Sequence, residues 1–507
     1  MEQKALQLLN DEQMKTFISQ GFLILKTDFS DEFHSRLLGQ LDYVYEKEGN
    51  PGNNLLPRIR ELQVVFDSPV IKGALTSVLG ANYMMHTHRY GHLNKNPVPG
   101  NWHKDSYWGY KRLRNHKPWW AMIMYFPQDT PLELGPTGVM PGTQYHESRI
   151  FENDDNEWEG KASGSAGTFA LIHYDIWHRS NANMMGQQRY MLKFEFMRTE
   201  APTAPTWDCA DTEWHAPAEF DIPMDRHDLL WENNWNWLAG KGGYLSGRKS
   251  DSSSADLNEL EKQLGNEDRR VRAEAANQLG LHADEDAGRV RRLLEAALQD
   301  SYEPVRLNAA YGLAADGTAG TAILLDAIRN EDKKIAEAAA YALSASGPSA
   351  AEGLIGLLDD GKELTVNLAA FALGELGVSG DQAAEGVIGL TKNDSAVIRR
   401  TAVEVLGNLS VTEKSGAVTA ALIEALGDED HQVRFWAGLS LAKKGPQAEP
   451  AIPQLVHALD DDSRYVRGHA AEALRRIGTP EATDVLLDYL LATRWCAISS
   501  PQNEWYP

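Results

Sequence analysis

The sequence predicts a multidomain chain in which an N-terminal α+β double-stranded β-helix, or jelly roll, precedes an all-α solenoid. Two observations carry this expectation. The composition changes near residue 250, from a stretch rich in Trp, His, Met and Pro to one rich in Ala, Leu, Gly and Asp. The second stretch also repeats itself at a nearly constant period, whereas the first contains short alternating segments. A chain of 507 residues is long enough for about three domains.

The N-terminal half mixes helical and strand patterns. LNDEQMKTFISQG is typical of a capped helix that ends at Gly21, and GFLILKT is typical of a strand. SDEFHSRLLGQLDYVYEK predicts a second helix, capped by Ser30. From Tyr83 onward the segments are short and alternating, with Gly and Pro between them, as in YMMHTHRYGHLN and GTFALIHYDIWH. Short strands separated by turns favour a double-sheet jelly roll of the cupin type.

Seven segments of the C-terminal half place an aliphatic residue, an Ala pair and a Leu on one helical face. Their first residues are Val271, Val305, Ile335, Val366, Ile398, Val433 and Val466. The successive spacings of 30 to 35 residues are a solenoid period. An acidic residue usually precedes each segment, where it can cap the helix; these are Asp300, Asp332, Asp394, Asp430 and Asp462. The units resemble the short HEAT-like repeats also found in bilin lyases, over roughly residues 256–490.

These patterns predict four parts of the chain. The first domain spans residues 1–245, and SGRKSDSSSA lies within a linker over 246–256. About seven HEAT-like repeats form the solenoid over 257–490, and a C-terminal tail occupies 491–507. Five tryptophans lie between residues 200 and 245, where they either cover the mouth of a site or attach the first domain to the first repeat; the second interpretation is favoured. These are Trp207, Trp214, Trp231, Trp235 and Trp237.

The bulk properties exclude several classes of protein. A formal net charge of −23 argues against a general nucleic-acid or membrane-surface binder, since both need a basic face. Cys209 and Cys496 are the two cysteines, so no disulfide framework is expected and a reducing compartment is the natural setting. The N-terminus lacks the pattern of a signal peptide, and no run of about eighteen apolar residues occurs. We therefore expect a cytoplasmic protein.

The triplet His103-Lys104-Asp105 is the strongest chemical motif. Residues at i and i+2 of a strand point to the same side, and His178 supplies a third ligand from a facing strand. Two imidazoles and one carboxylate form the facial triad of non-heme Fe(II) oxygenases. Arg189 follows His178 by eleven residues, where its guanidinium can bind a dicarboxylate.

A second triplet, His173-Tyr174-Asp175, has the same spacing. The odd separation of His173 from His178 puts these imidazoles on opposite faces of a regular strand, so we interpret Asp175 as structural. His86, His88 and His92 precede the first triplet. They either shape the pocket and contact a cosubstrate, or they belong to the core; both alternatives stay open.

Residues 10–200 resemble the phytanoyl-CoA dioxygenase family of Fe(II)/2-oxoglutarate oxygenases. NWHKDSYWG, GPTGVMPGTQYH and DIWHRSNANMMGQQRYML carry the resemblance. It implies iron ligation by His103, Asp105 and His178, with 2-oxoglutarate bound by Arg189 and Ser180. It also implies O₂ as cosubstrate, with succinate and CO₂ released. Relatives that halogenate have a small residue in place of the carboxylate, so the presence of Asp105 favours hydroxylation.

The segment after the triplet interleaves aromatic and basic residues in an otherwise acidic chain, which favours a small anionic substrate. Its candidate substrate residues are Tyr107, Trp108, Lys111, Arg112 and Arg114. The alternative is a solvated loop whose rings pack on the jelly roll. Three functions follow: a small-molecule hydroxylase with an accessory solenoid, a protein hydroxylase whose solenoid recruits a target polypeptide, and a non-catalytic scaffold. The complete His/Asp/His/Arg set argues against the scaffold.

Overall fold

The fold is given by a computed structural model. It describes residues 5–105, 113–152, 156–217, 220, 224–248, 256–282, 286–377 and 380–492.

The N-terminal region contains two antiparallel sheets among its described residues. The strands are β1 (Phe22–Lys26), β2 (Met84–Asn94), β3 (Trp120–Tyr125), β4 (Thr137–Val139), β5 (Gly160–Lys161), β6 (Thr168–His173), β7 (His178–Ser180) and β8 (Arg189–Met197). One sheet has the order β1-β6-β3-β8-β2 and the other has the order β5-β4-β7. The central strands β3, β6 and β8 are buried along their whole length. The sequence was thus right in predicting a sheet-containing α+β region.

The N-terminal region also contains helices, of which the first, third and fifth pack against strands of the larger sheet. They are α1 (Asp11–Gln20), α2 (Asp31–Lys47), α3 (Leu55–Arg58), α4 (Glu61–Phe66), α5 (Pro69–Leu79) and α6 (Asp228–Leu238). The first helix has a capping box from Asn10 and ends at Gly21, whose φ of 81° is the left-handed conformation that glycine adopts without strain. The second helix begins at Ser30, whose side chain accepts a hydrogen bond from the Phe33 backbone. Both helix boundaries agree with the predicted ones.

The C-terminal region is helical. Its helices are α7 (Leu257–Leu264), α8 (Arg269–Leu281), α9 (Ala287–Ala297), α10 (Glu303–Ala315), α11 (Thr318–Ala327), α12 (Lys333–Leu343), α13 (Ala351–Gly356), α14 (Glu363–Leu376), α15 (Gly380–Leu390), α16 (Ala396–Asn408), α17 (Ser415–Ala425), α18 (His431–Lys444), α19 (Ile452–Ala458), α20 (Arg464–Ile477) and α21 (Pro480–Ala492). The predicted segments all lie on the even-numbered helices from α8 to α20. Each of these seven packs against the next, which is the stacking that a solenoid requires.

The acidic residues before these helices have three different roles. Asp332 and Asp430 cap α12 and α18 by accepting backbone hydrogen bonds. Asp300 accepts a hydrogen bond from the backbone of Tyr302, which is itself the N-cap position of α10. Asp394 and Asp462 differ from the prediction. Their main-chain carbonyls accept hydrogen bonds from Arg399 and Arg467, and no side-chain cap forms on α16 or α20.

The helices α10, α12, α14, α18 and α20 of the solenoid contact the N-terminal region. On α10, the Asn308 side chain bonds to His227. At the far end, the His88 imidazole lies 3.3 Å from the Tyr465 hydroxyl of α20. We call the surface formed by α10, α12, α14, α18 and α20 the inner face of the solenoid. Parts of this face contact the chain's own first region, and a cavity of about 340 Å³ remains beside them, lined by residues of α12, α14 and α16 and by Leu113.

Helix α6 is part of this contact, because it packs against α1 on one side and against α8 and α10 on the other. Trp231 and Trp235 of this helix are completely buried. This arrangement agrees with the interpretation that the tryptophans attach the first domain to the repeats. The described start of the predicted linker is also anchored, since Arg248 pairs with Glu232 and donates a hydrogen bond to the carbonyl of Leu281.

No helix in the described ranges is long and apolar enough to cross a lipid bilayer.

Candidate functional site

His103 and His178 face each other across an isolated antiparallel bridge. Each backbone N–H donates to the other residue's carbonyl at 3.0 Å, and the ring centroids are 4.4 Å apart. Asp105 lies two residues beyond His103, and its Oδ2 is 3.5 Å from Nε2 of His178. One ligand atom from each of the three residues falls within 4.8 Å of the others. The structure therefore brings together the three residues that the sequence predicted as metal ligands.

The imidazoles are oriented by backbone carbonyls. Nδ1 of His103 donates to the carbonyl of Asn101 at 2.9 Å, and Nδ1 of His178 donates to the carbonyl of Ile176 at 3.1 Å. A carbonyl only accepts, so the proton is on Nδ1 and the lone pair of Nε2 is available to a metal. Burial lowers the pKa of His178 to about 4, which keeps its ring in the neutral, coordinating form at pH 7.

Lys193 of β8 holds the carboxylate of Asp105. Its Nζ lies 3.1 Å from Oδ2 of Asp105. Burial opposes the charge on Asp105, but Lys193 and the two imidazoles outweigh it and keep the pKa of Asp105 well below its usual range. Burial also opposes the charge on Lys193, yet Asp105 keeps the pKa of Lys193 above its ordinary value. The carboxylate of Asp105 is therefore ionised, which is the form that a hard divalent cation requires.

Arg189 is a buried cation at the start of β8, with 1% of its surface exposed. Its Nη2 donates to the Ser180 hydroxyl at 2.8 Å, and Asn94 donates to the same hydroxyl at 2.7 Å. Within the described part of the chain, Nε and Nη1 of Arg189 have no hydrogen-bond partner. Buried charged groups are normally paired, so this guanidinium fits an anionic ligand that supplies two oxygen atoms.

These side chains line one cavity of about 300 Å³. Arg189, Met191 and Lys193 alternate along β8 and therefore share one face of the sheet. His92 and Asn94 of the paired strand β2 lie opposite Met191 and Arg189. The remaining wall is formed by Leu93, Asn96, Val98, Gly100, His103, Asp105, Met124, Thr137, His178, Arg179 and Ser180. The three candidate metal ligands and Arg189 thus open into the same space.

The competing triplet lies elsewhere. The backbone N–H of His173 donates to the carbonyl of Gly21, and Nδ1 of His173 accepts from the backbone of Asp175. Oδ1 of Asp175 accepts from Nη1 of Arg114 at 2.7 Å. Neither His173 nor Asp175 belongs to the described ligand cluster. This agrees with the interpretation of the second triplet as structural.

The three histidines of β2 do not share one role, although the sequence left open whether they shape the pocket or belong to the core. His92 lines the cavity, and its buried Nε2 has no partner among the described residues. His86 lies 3.1 Å from Glu195 and stacks on Tyr465 of α20, so it belongs to the contact with the solenoid. Nδ1 of His88 also faces Tyr465. Burial raises the pKa of Glu195 to about 7.

Four of the predicted substrate residues, Tyr107, Trp108, Lys111 and Arg112, lie outside the described residues. The fifth, Arg114, is buried and pairs with Asp175, and it does not line the cavity.

Two residues of the site were not predicted, namely Lys193 and Asn94. The signal for Lys193 was available, because a residue four positions after Arg189 on a strand shares its face. Asn94 had no comparable signal, since its position depends on pairing between distant strands.

Three ligand atoms on one side of a metal leave positions for a chelating cosubstrate and O₂, and a buried arginine beside them fits the cosubstrate's second carboxylate. Enzymes that combine these features are 2-oxoglutarate-dependent non-heme iron oxygenases, and the chain is an enzyme of this class. Residues 30–191 match the phytanoyl-CoA dioxygenase (PhyH) family. Residues 290–374 and 419–495 match HEAT repeats. The chain thus carries a PhyH domain followed by HEAT repeats, and Fe(II), 2-oxoglutarate and O₂ suit its site.

Several solved structures are similar to parts of the chain. The non-heme alpha-ketoglutarate-dependent carbocyclase SnoK from nogalamycin biosynthesis is 17% identical, with a TM-score of 0.31, over 38% of this chain and 85% of that chain. HygX from Streptomyces hygroscopicus, with nickel and 2-oxoglutarate bound, is 14% identical (TM-score 0.31; 38% and 88%). EctD from S. alaskensis, with 2-oxoglutarate and 5-hydroxyectoine, is 13% identical (TM-score 0.32; 38% and 77%). Among curated proteins, none matches the chain significantly.

Proposed function

We propose that the protein hydroxylates a small organic substrate in an Fe(II)- and 2-oxoglutarate-dependent reaction that releases succinate and CO₂. His103, Asp105 and His178 hold the metal, and Arg189 with Ser180 holds the cosubstrate. The observation that carries the proposal is the buried guanidinium of Arg189, whose Nε and Nη1 have no described partner beside a complete ligand set. The bound iron and 2-oxoglutarate supply the oxidising chemistry.

The protein's own residues contribute orientation and charge. The carbonyls of Asn101 and Ile176 fix both imidazoles, and Lys193 fixes the carboxylate of Asp105. Because these partners are already in place, the ligands need little rearrangement when the metal binds. The apolar side chains of Met124 and Met191 line the same cavity.

Hydroxylation is favoured over halogenation because Asp105 occupies the ligand position that halogenating relatives leave open. We further propose that the two sheets form a double-stranded β-helix and that the domain boundaries are those predicted, 1–245, 246–256, 257–490 and 491–507. An anionic substrate that contacts Tyr107, Trp108, Lys111 and Arg112 is also part of the proposal. Arg114 is assigned differently, since its guanidinium is engaged by Asp175.

The alternative of a protein hydroxylase with a recruiting solenoid has less support. It requires a free inner face on the solenoid, whereas parts of that face lie against the first region through contacts such as His227–Asn308 and His88–Tyr465. A target polypeptide would have to use the outer helices or the cavity lined by α12, α14 and α16. The small-molecule hypothesis has no such requirement.

Anaerobic binding of Fe(II) and 2-oxoglutarate, followed by a screen of metabolites for substrate-stimulated succinate release, tests the proposal. His103→Ala and Asp105→Ala should lose Fe(II) binding, because each removes one of three ligands. The second triplet offers a matched control, since His173→Ala removes an imidazole from an identical local motif and should leave Fe(II) binding intact. If His103→Ala binds Fe(II) as tightly as the parent, the ligand assignment is wrong.

A further inference from the structure

The segment formed by residues 114–117 follows the metal-ligand stretch and is buried throughout. Arg114 is 9% exposed, Asn115 3%, His116 5% and Lys117 2%. Four consecutive polar residues are rarely buried unless each has a partner. Their partners therefore indicate what the segment does.

The solenoid supplies the partners of Asn115 and Lys117. Nδ2 of Asn115 donates to Oε1 of Glu375 on α14 at 2.9 Å. Nζ of Lys117 donates to the backbone carbonyl of the same glutamate. Glu375 is itself 5% exposed, so this contact is sealed from water. A single repeat thus fixes two positions of the segment.

His116 is held by two further repeats. Its Nδ1 lies 2.9 Å from the Tyr311 hydroxyl of α10. Its ring stacks on Tyr341 of α12 with centroids 4.0 Å apart. Both tyrosines are buried. Helices α10, α12 and α14 therefore contact three consecutive residues of the segment.

Arg114 connects the segment to the metal ligands. Its Nη1 donates to Oδ1 of Asp175 at 2.7 Å and to the main-chain carbonyl of Asp105 at 2.9 Å. The second bond fixes the backbone of a residue whose side chain is a metal ligand. The position of that carboxylate therefore depends on where Arg114 is held.

We infer that the solenoid positions the iron ligand Asp105 through residues 114–117, with Arg114 as the positioning residue. The inference rests on the proposed function, since it assumes that Asp105 binds iron. Contacts on three repeats then affect the affinity of the site for Fe(II), although none of these contacts touches the metal. The repeats are a structural part of the oxygenase site, in addition to any role as an accessory surface.

Two variants of full-length protein test the inference by anaerobic Fe(II) titration. Arg114→Gln removes the ion pair with Asp175 and weakens the hold on the Asp105 carbonyl, so its Kd for Fe(II) should rise roughly tenfold or more. Tyr311→Phe removes only the hydroxyl that contacts His116 and keeps the ring. Its Kd for Fe(II) should rise roughly three- to tenfold.

A matched control lies on the same face of the solenoid. The Tyr302 hydroxyl, at the N-cap of α10, donates to Oδ2 of Asp225 at 2.6 Å, which is also a buried bond between the solenoid and the first region. Tyr302→Phe therefore makes the same chemical change away from residues 114–117. It should lower the unfolding midpoint at least as much as Tyr311→Phe, because the lost bond is to a carboxylate, and it should leave the Kd for Fe(II) unchanged.

The outcomes separate the proposed function from the positioning role. If the parent protein does not bind Fe(II), the proposed function fails and the inference fails with it. If the parent binds Fe(II) and Tyr311→Phe and Arg114→Gln bind it equally well, only the inference is overturned. The inference is also overturned if Tyr302→Phe weakens Fe(II) binding as much as Tyr311→Phe, because the effect would then be general destabilisation. If Arg114→Gln fails to fold, the comparison of Tyr311→Phe with Tyr302→Phe is sufficient to test the inference.

Discussion

Replacing Arg189 by Met tests whether this arginine binds a ligand or stabilises the fold. Burial lowers the pKa of Arg189 to about 10 from an ordinary value of 12.5, which corresponds to roughly 3 kcal/mol of unfavourable desolvation. The substitution removes this cost but also removes the hydrogen bond to Ser180, which contributes about 1.5–3 kcal/mol. The difference between the two changes is about 0 to 1.5 kcal/mol in favour of the variant, so Arg189→Met should not lower the free energy of unfolding measured without ligands.

The neighbouring Arg179 is a matched control with the opposite expectation. Its Nε and Nη2 donate to the two carboxylate oxygens of Glu159 at 3.1 and 2.9 Å. Both residues are buried, so Arg179→Met leaves an unpaired carboxylate in the interior. Breaking such a pair costs about 3–5 kcal/mol. The same substitution at two buried arginines should therefore have clearly different effects on stability.

Binding of 2-oxoglutarate should be weakened more by Arg189→Met than by Arg179→Met. Two charge-assisted hydrogen bonds from Nε and Nη1 of Arg189 contribute about 3–6 kcal/mol together, so Arg189→Met should weaken 2-oxoglutarate binding by roughly 10²- to 10⁴-fold. At a concentration of 100 times the parent Kd, 2-oxoglutarate stabilises the parent by about 2.7 kcal/mol and Arg189→Met by at most about 0.4 kcal/mol. Fe(II) binding should be spared.

The assay is chemical denaturation of parent, Arg189→Met and Arg179→Met under anaerobic conditions with Fe(II), with and without 2-oxoglutarate. Calorimetric titration gives the two affinities directly. The role assigned to Arg189 is refuted if Arg189→Met is as unstable as Arg179→Met, because Arg189 would then have a structural partner. It is also refuted if Arg189→Met keeps 2-oxoglutarate affinity within tenfold of the parent.

Two further predictions concern the contact between the solenoid and the first region. A Cβ atom at Gly468 of α20 would lie 2.2 Å from Cγ2 of Thr87, so Gly468→Ala should destabilise the protein in thermal denaturation. The control is Gly39→Ala, since Gly39 has open space around it; this variant should be neutral or stabilising by roughly 0.5–1 kcal/mol. Burial lowers the pKa of His116 and of His469 to about 3. Below pH 6.5 the unfolded chain therefore binds protons at these residues that the native protein does not. The free energy of unfolding should fall between pH 6.5 and 5 by roughly 1 kcal/mol per pH unit for each such imidazole. Denaturant titrations at both pH values measure the slope; a flat profile would contradict the prediction.

The features that could be predicted from the sequence are local or periodic. The seven helices of the solenoid follow from a repeat of 30 to 35 residues, and the helix ending at Gly21 follows from its capping residues. His103 and Asp105 were found through a spacing of two on an extended segment. His178 and Arg189 lie far along the chain, and the resemblance to a known family, more than strand geometry, linked them to that pair.

The features that could not be predicted depend on contacts between distant residues. Asn115 and Glu375 are separated by 260 positions, and no local pattern indicates that they pair. The basic character of Arg114 suggested a substrate contact, although its charge is used internally by Asp175. Sequence alone gives the type of a side chain, whereas its partner depends on how the solenoid packs against the sheets.

The distance along the chain between the two ends of this packing also determines when the site can be completed during synthesis. His88 of β2 and Tyr465 of α20 are 377 residues apart. A ribosome that adds about 5–20 residues per second needs roughly 20 to 75 s to cover that interval. Strand β2 carries His92 and Asn94 of the cavity, and during this interval it lacks its covering helix. We expect the nascent chain to depend on chaperones until the last repeats have emerged.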